Sequence, residues 1–94
     1  MPVGLLTLHV HFPGCSSLKE KRRRLKPLLT RLHREFNISV AEVDHNDIWQ
    51  DALIACAIVS GDHKHVQRVL SKVSAWVERH WLDATLVSEE IEII

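Results

Sequence analysis

Between Val3 and Phe12 the side chains alternate. Gly4, Leu6, Leu8, Val10 and Phe12 fall on one side, and Val3, Leu5, Thr7, His9 and His11 on the other. A period of two with one strongly apolar side predicts a strand packed on a core. Pro13, Gly14, Cys15 and Ser16 then read as a turn. Beyond them the period lengthens. Ser17-Leu18-Lys19-Glu20 reads as a capping box, the serine hydroxyl accepting from the Glu20 amide and the glutamate reaching back to the Ser17 amide. Leu18, Leu25, Leu28, Leu29, Leu32 and Phe36 recur at helical spacing and predict a helix to about Phe36. Pro27 stands inside that pattern and predicts a kink over 23–27, because it removes an amide and crowds the Arg23 carbonyl. Asn37 is placed to end the helix in a left-handed conformation.

Ile38 to Val43 predicts a second strand, with Ile38, Val40 and Glu42 on one side and Ser39, Ala41 and Val43 on the other. Asp44 to Asp47 is a polar connection, and a third strand follows from about Trp49 to Ser60, apolar on both faces from Leu53 to Val59. Asp62 is a good N-cap for a second helix, whose stripe is Val66, Val69, Leu70, Val73 and Val77 and which ends near Arg79 and His80. Ala84 to Ile94 reads as the last strand. The order βαββαβ is the split βαβ, ferredoxin-like plan: an α+β sandwich with two helices on one face of a four-stranded antiparallel sheet.

That plan leaves the second sheet face bare. Val3 and Leu5 lie on it, joined by alternate residues of the third strand such as Leu53, Ala55 and Ala57. Contiguous apolar surface of this kind predicts a covering partner. The reading is a homo-oligomer that uses Val3 and Leu5, with Trp49 as strand-entry anchor or subunit contact. The rival is an RNA-binding sheet of the RRM type, which stacks bases on aromatics of its central strands. Residues 53–58 contain no aromatic, Phe12 falls on the helix side and the chain has no tyrosine, so that platform is missing.

Length and composition narrow the picture. Ninety-four residues, 46% hydrophobic and 26% charged, suit one ordinary globular domain, 1–94, and exclude intrinsic disorder. The longest apolar run, Ala52 to Val59, is too short to span a bilayer. No basic segment precedes the first apolar residues, so no secretory signal is expected, and two cysteines make no disulfide framework. These features point to a reduced, cytoplasmic protein without a membrane partner.

Net charge is zero, yet residues 1–40 carry eight Lys/Arg against two acids, and residues 41–94 carry four against ten. Such asymmetry hints at an anionic partner, or at a basic half lying over an acidic one. On a helical wheel Arg23, Lys26 and Arg34 fall within about 60° of Lys19, opposite the apolar stripe, with Arg31 and Arg24 farther round. Lys21 and Arg22 stand at the stripe's margins. A basic ridge suits a phosphate backbone, and Lys19, Arg23, Lys26, Arg31 and Arg34 are its candidate phosphate-binding residues. Ser16, Ser17 and Lys19 open the same helix, where free amides and the dipole receive anions. The Gly-Lys-Ser/Thr element of a Walker A loop is missing.

No reaction is legible. His9 and His11 share a strand face with workable ligand spacing, but no Cys-x-x-Cys or His-x-x-x-His pattern supports them, and no metal or other cofactor is expected. Cys15 sits near a helix N-terminus, where a thiol pKa can fall; Cys56 reads as core. An acylphosphatase would share the plan but needs a glycine-rich phosphate loop bearing an arginine, which residues 12–16 lack.

Three segments together are distinctive: Ser17-Leu18-Lys19-Glu20-Lys21-Arg22, Phe36-Asn37-Ile38-Ser39-Val40-Ala41-Glu42-Val43 and Asp47-Ile48-Trp49-Gln50. They resemble the YlxP-like family of small bacterial proteins, a domain of unknown function, over essentially the whole chain. Before the second helix that family has a turn like Ser-Asn-Asp where this chain has Ser60-Gly61-Asp62. The resemblance implies a ferredoxin-like fold and a cytoplasmic bacterial protein. Its members are often encoded beside transcription-termination, translation-initiation and ribosome-maturation factors, which implies a role linked to RNA or the ribosome; with no reaction legible, a non-enzymatic binding protein is expected. It carries no catalytic residues to this chain.

Overall fold

The computed structural model describes residues 1–44 and 48–94. The elements are β1 (Val3–His11), α1 (Leu18–Glu35), β2 (Ser39–Asp44), β3 (Asp51–Val59), α2 (His63–His80) and β4 (Thr85–Ile93). They form one antiparallel sheet in the order β2-β3-β1-β4, with α1 toward β2 and α2 toward β1 and β4. This is the ferredoxin-like α+β sandwich. The inner part of the polar connection, residues 45–47, lies outside the described residues.

The alternation in β1 fixes which face is covered. Leu6, Leu8, Val10 and Phe12 are fully buried beneath the helices, and Ala52, Ile54, Cys56 and Ile58 lie beside them from β3. From above come Leu25, Leu28 and Leu32 of α1 and Val66, Leu70, Val73 and Val77 of α2. Burial pushes the Cys56 thiol up to about 12, so it is an unreactive core group. Gly4 lets α2 settle close to the sheet. A Cβ there would run into Val66 Cγ1 and would lie 2.8 Å from Leu70 Cδ1.

Helix ends follow the caps. The Ser17 hydroxyl accepts from the Glu20 amide at 3.1 Å, and Asp62 accepts from the Lys64 amide at 2.9 Å. Phe12 to Cys15 form a turn closed by Cys15 N–H to Phe12 O at 3.3 Å, with Pro13 second and Gly14 third at φ 71°. Those positions suit a type II turn, whose third residue needs positive φ. Helix α1 continues unbroken through Pro27. It closes at Phe36, in extended backbone, and Ile38 N–H then bonds to Phe36 O at 2.8 Å across a three-residue turn centred on Asn37.

Among the described residues one charged side chain lies inside. Lys21 is 1% exposed, although the wheel suggests a marginal position leaning along the sheet. It occupies the same helical row as Leu25, Leu28 and Leu32. Its Nζ sits 2.7 Å from Glu42 Oε2, on the inward side of β2, and donates to Ile48 O at 2.8 Å. The ammonium thus exchanges water for a carboxylate and a carbonyl, and it ties α1 to both ends of the β2–β3 connection.

Two stability tests follow. Gly4→Ala should cost about 1–3 kcal/mol in urea unfolding through overpacking, and adding Val66→Ala should recover part of the loss. Lys21→Met should cost about 3 kcal/mol because it strands the Glu42 carboxylate, and Lys21→Met with Glu42→Leu should restore most of it.

Candidate functional site

All eight Lys/Arg of residues 1–40 lie on α1, and the fold sorts them into two sets. One set is consumed internally. Lys21 is buried against Glu42. Arg24, farther round the wheel, lies over the Phe12 ring at 5.2 Å, and donates to Asp83 Oδ2 at 2.9 Å, Asp83 O at 2.8 Å and Pro13 O at 3.0 Å. It clamps the start of α1 to the chain entering β4.

The other set faces solvent. Lys19, Arg22, Arg23, Lys26 and Arg34 are exposed, and among the described residues none has an ion-pair partner. Arg31 is intermediate between the sets. It reaches Glu35 at 3.4 Å, an exposed i,i+4 pair worth a few tenths of a kcal/mol, and rests on the Trp76 ring at 5.5 Å. Arg23, Lys26, Thr30, Arg31 and Arg34 line a shallow groove with Pro27 between them. From Lys19 to Arg34 the ridge runs about 22 Å at the helical rise per residue. The structure therefore brings together the five ridge residues named from the wheel and adds Arg22 at their margin.

The anion site expected at Ser16, Ser17 and Lys19 is filled from within. The Glu20 carboxylate accepts from the Ser16 amide at 2.9 Å and from the Ser16 hydroxyl at 3.0 Å. The capping box is thus shifted: the glutamate turns to Ser16 instead of the Ser17 amide, since the turn presents both Ser16 donors to it. The Ser16 amide, helped by the hydroxyl, holds the Glu20 carboxyl below its ordinary range, so the chain supplies its own anion there. Lys19 belongs to the ridge. Cys15 is buried, with its thiol 3.5 Å from Ser17 O, and presents no nucleophile to solvent.

The uncovered sheet face has two characters. At one end Val3 and Leu5 of β1 stand opposite Val59 and Ala57 of β3, with Ala55 and Leu53 continuing the apolar strip. At the other end Asp51 Oδ1 accepts from His9 Nε2 at 2.8 Å and His11 Nδ1 at 3.3 Å. Burial pushes the Asp51 carboxyl up, but the two histidine hydrogen bonds and charges outweigh it, leaving the pKa below its ordinary value. Among the described residues no three His, Cys, Asp or Glu side chains are grouped to hold a metal ion. Trp49 precedes β3 at the His11 end. The length of β1, about 27 Å, separates that end from Val3, so Trp49 does not join Val3 and Leu5 in one patch.

Lys21 is the residue the sequence reading misplaced, and the signal for it was available. Position 21 falls within the row of Leu25, Leu28 and Leu32, and Glu42 shares the inward side of β2 with Val40. Two opposite charges aimed inward from neighbouring elements predict a buried pair.

Comparisons with known proteins agree with this architecture. A solved structure of a "De novo designed protein Foldit4" superposes with a TM-score of 0.54 at 12% identity, covering all of this chain and 97% of that one, a likeness of fold alone. In sequence the chain is 39% identical to "Uncharacterized protein YlxP" of Bacillus subtilis (strain 168) over 62 residues, 66% of this chain and 67% of that protein. The family model described as "Protein of unknown function (DUF503)" matches residues 3–91, nearly the full sandwich with its ridge, and the chain belongs to that family.

Proposed function

We propose that this protein is a non-enzymatic RNA-binding protein, acting on RNA alone or within the ribosome through the basic face of α1. Lys19, Arg23, Lys26, Arg31 and Arg34 hold phosphates, and the sandwich serves as their rigid mount. The observation that carries this reading is the ridge itself: four of the five are exposed and unpaired among the described residues, while Arg24 and Lys21 of the same helix are tied down. Phosphate neutralisation releases counterions, so the reading has a quantitative signature. Five contacts give a log–log salt slope of about −3.5 on single strands and about −4.5 on a duplex. Reversing two charges, Arg23→Glu with Lys26→Glu, should weaken RNA binding at least about tenfold at low salt and flatten the slope by about 1.5–2. Fluorescence anisotropy across a salt series measures both. Binding and slope unchanged by the double reversal would defeat the reading.

A second reading rests on a separate observation, the apolar strip of Val3, Leu5, Leu53, Ala55 and Ala57 on the uncovered sheet face. A second copy packed face to face would remove that strip from water, as a two-fold dimer commonly does. Light scattering at micromolar concentration should then give twice the monomer mass, and Leu5→Glu should return the monomer. A wild type that is monomeric under those conditions sets this reading aside. The two surfaces lie on opposite sides of the sheet and do not compete.

A further inference from the structure

The backbone on both sides of Trp49 is braced. Lys21 Nζ donates to Ile48 O at 2.8 Å, one residue before it. Gln50, one residue after it, donates from Nε2 to Cys15 O at 3.2 Å and accepts at its own carbonyl from Phe12 N–H at 2.6 Å. These bonds fasten residues 48–50 to the turn ahead of α1 and to the first turn of α1 itself. The indole they carry is nevertheless 46% exposed, beside Ile48 at 42%. Among the described residues no other aromatic is so open: Trp76 packs against Phe36 and Trp81, and Phe12 is buried under Arg24. Asp51, with its two histidines, begins β3 two residues on and stands between Trp49 and the apolar strip of the sheet. Lys19, Arg22 and Arg23, all exposed, occupy the first turn and a half of the helix end to which residues 48–50 are tied.

We infer that Trp49 is a base-stacking platform at the end of the basic ridge, and that the ligand is single-stranded RNA. This rests on the RNA reading above. An unpaired base lies on the indole face while the neighbouring phosphates pass Arg22, at the margin of the helix, to reach Lys19 and Arg23 on its outer side. Stacking tolerates any base, so the platform selects strandedness rather than sequence. A duplex keeps its bases inside and offers the indole nothing. A ridge of cations alone makes no such distinction.

The test uses the intact protein, one labelled short RNA as a single strand and the same RNA annealed to its complement. Wild type should prefer the single strand. Trp49→Ala should weaken single-strand binding about tenfold and leave duplex binding and the salt slope unchanged, since no phosphate contact is lost; Trp49→Phe should keep most of the affinity. Single-strand binding unaltered by Trp49→Ala, or an equal loss on both RNAs, overturns the inference and leaves the ridge standing. Wild type that binds neither RNA brings down the ridge reading and this inference together.

Discussion

An ammonium group withdrawn from water has to meet an anion and a hydrogen-bond acceptor at the same point, and Lys21 does so between Glu42 and the carbonyl of Ile48. That contact sets the rotation of α1. With Lys21 inward, the helical period turns Leu25, Leu28 and Leu32 inward as well, and carries Lys19, Arg23, Lys26 and Arg34 to the far side. The outward ridge is therefore a geometric result of an inward charge. A buried pair of this kind adds little net stability compared with apolar side chains of the same size. What it supplies here is registration, because a helix rolled by one residue would bury an unpaired arginine.

The rest of the architecture follows from two helices sharing one sheet face. Each has a single apolar stripe, so the second face remains open, and on it β1 and β3 hold Val3, Leu5, Leu53, Ala55 and Ala57 toward one end and His9, His11 and Asp51 toward the other, without a Phe, Tyr or Trp among them. A designed protein reaches the same arrangement at 12% identity, so the sandwich by itself implies no activity. Whatever is particular to this chain lies in the side chains added to the frame: the ridge, the clamped arginine and the exposed indole of Trp49.

The frame was legible because its signals are local and redundant. Period two in residues 3–12, period 3.6 in residues 18–36, and Ser17 and Asp62 at the helix starts each specify one element without reference to the others. The five ridge residues were legible for the same reason, since a wheel needs only the helix. Less local features were harder. The Glu20 carboxylate chose Ser16 over Ser17 because of how the preceding turn aims its donors. Arg24 finds Asp83 from 59 residues away, and no pattern within one element announces a partner at that distance. Trp49 and Val3 both read as candidates for a subunit contact until the register put them at opposite ends of β1.

The edge strand β4 carries Glu89, Glu90 and Glu92, and it lies at the end of the sheet farthest from β2, the strand that α1 accompanies. Helix α2, which packs toward β4, carries Lys64, Arg68, Lys72 and Arg79, so the acidic strand has cations on its neighbouring helix while the outer face of α1 keeps a surplus of positive charge.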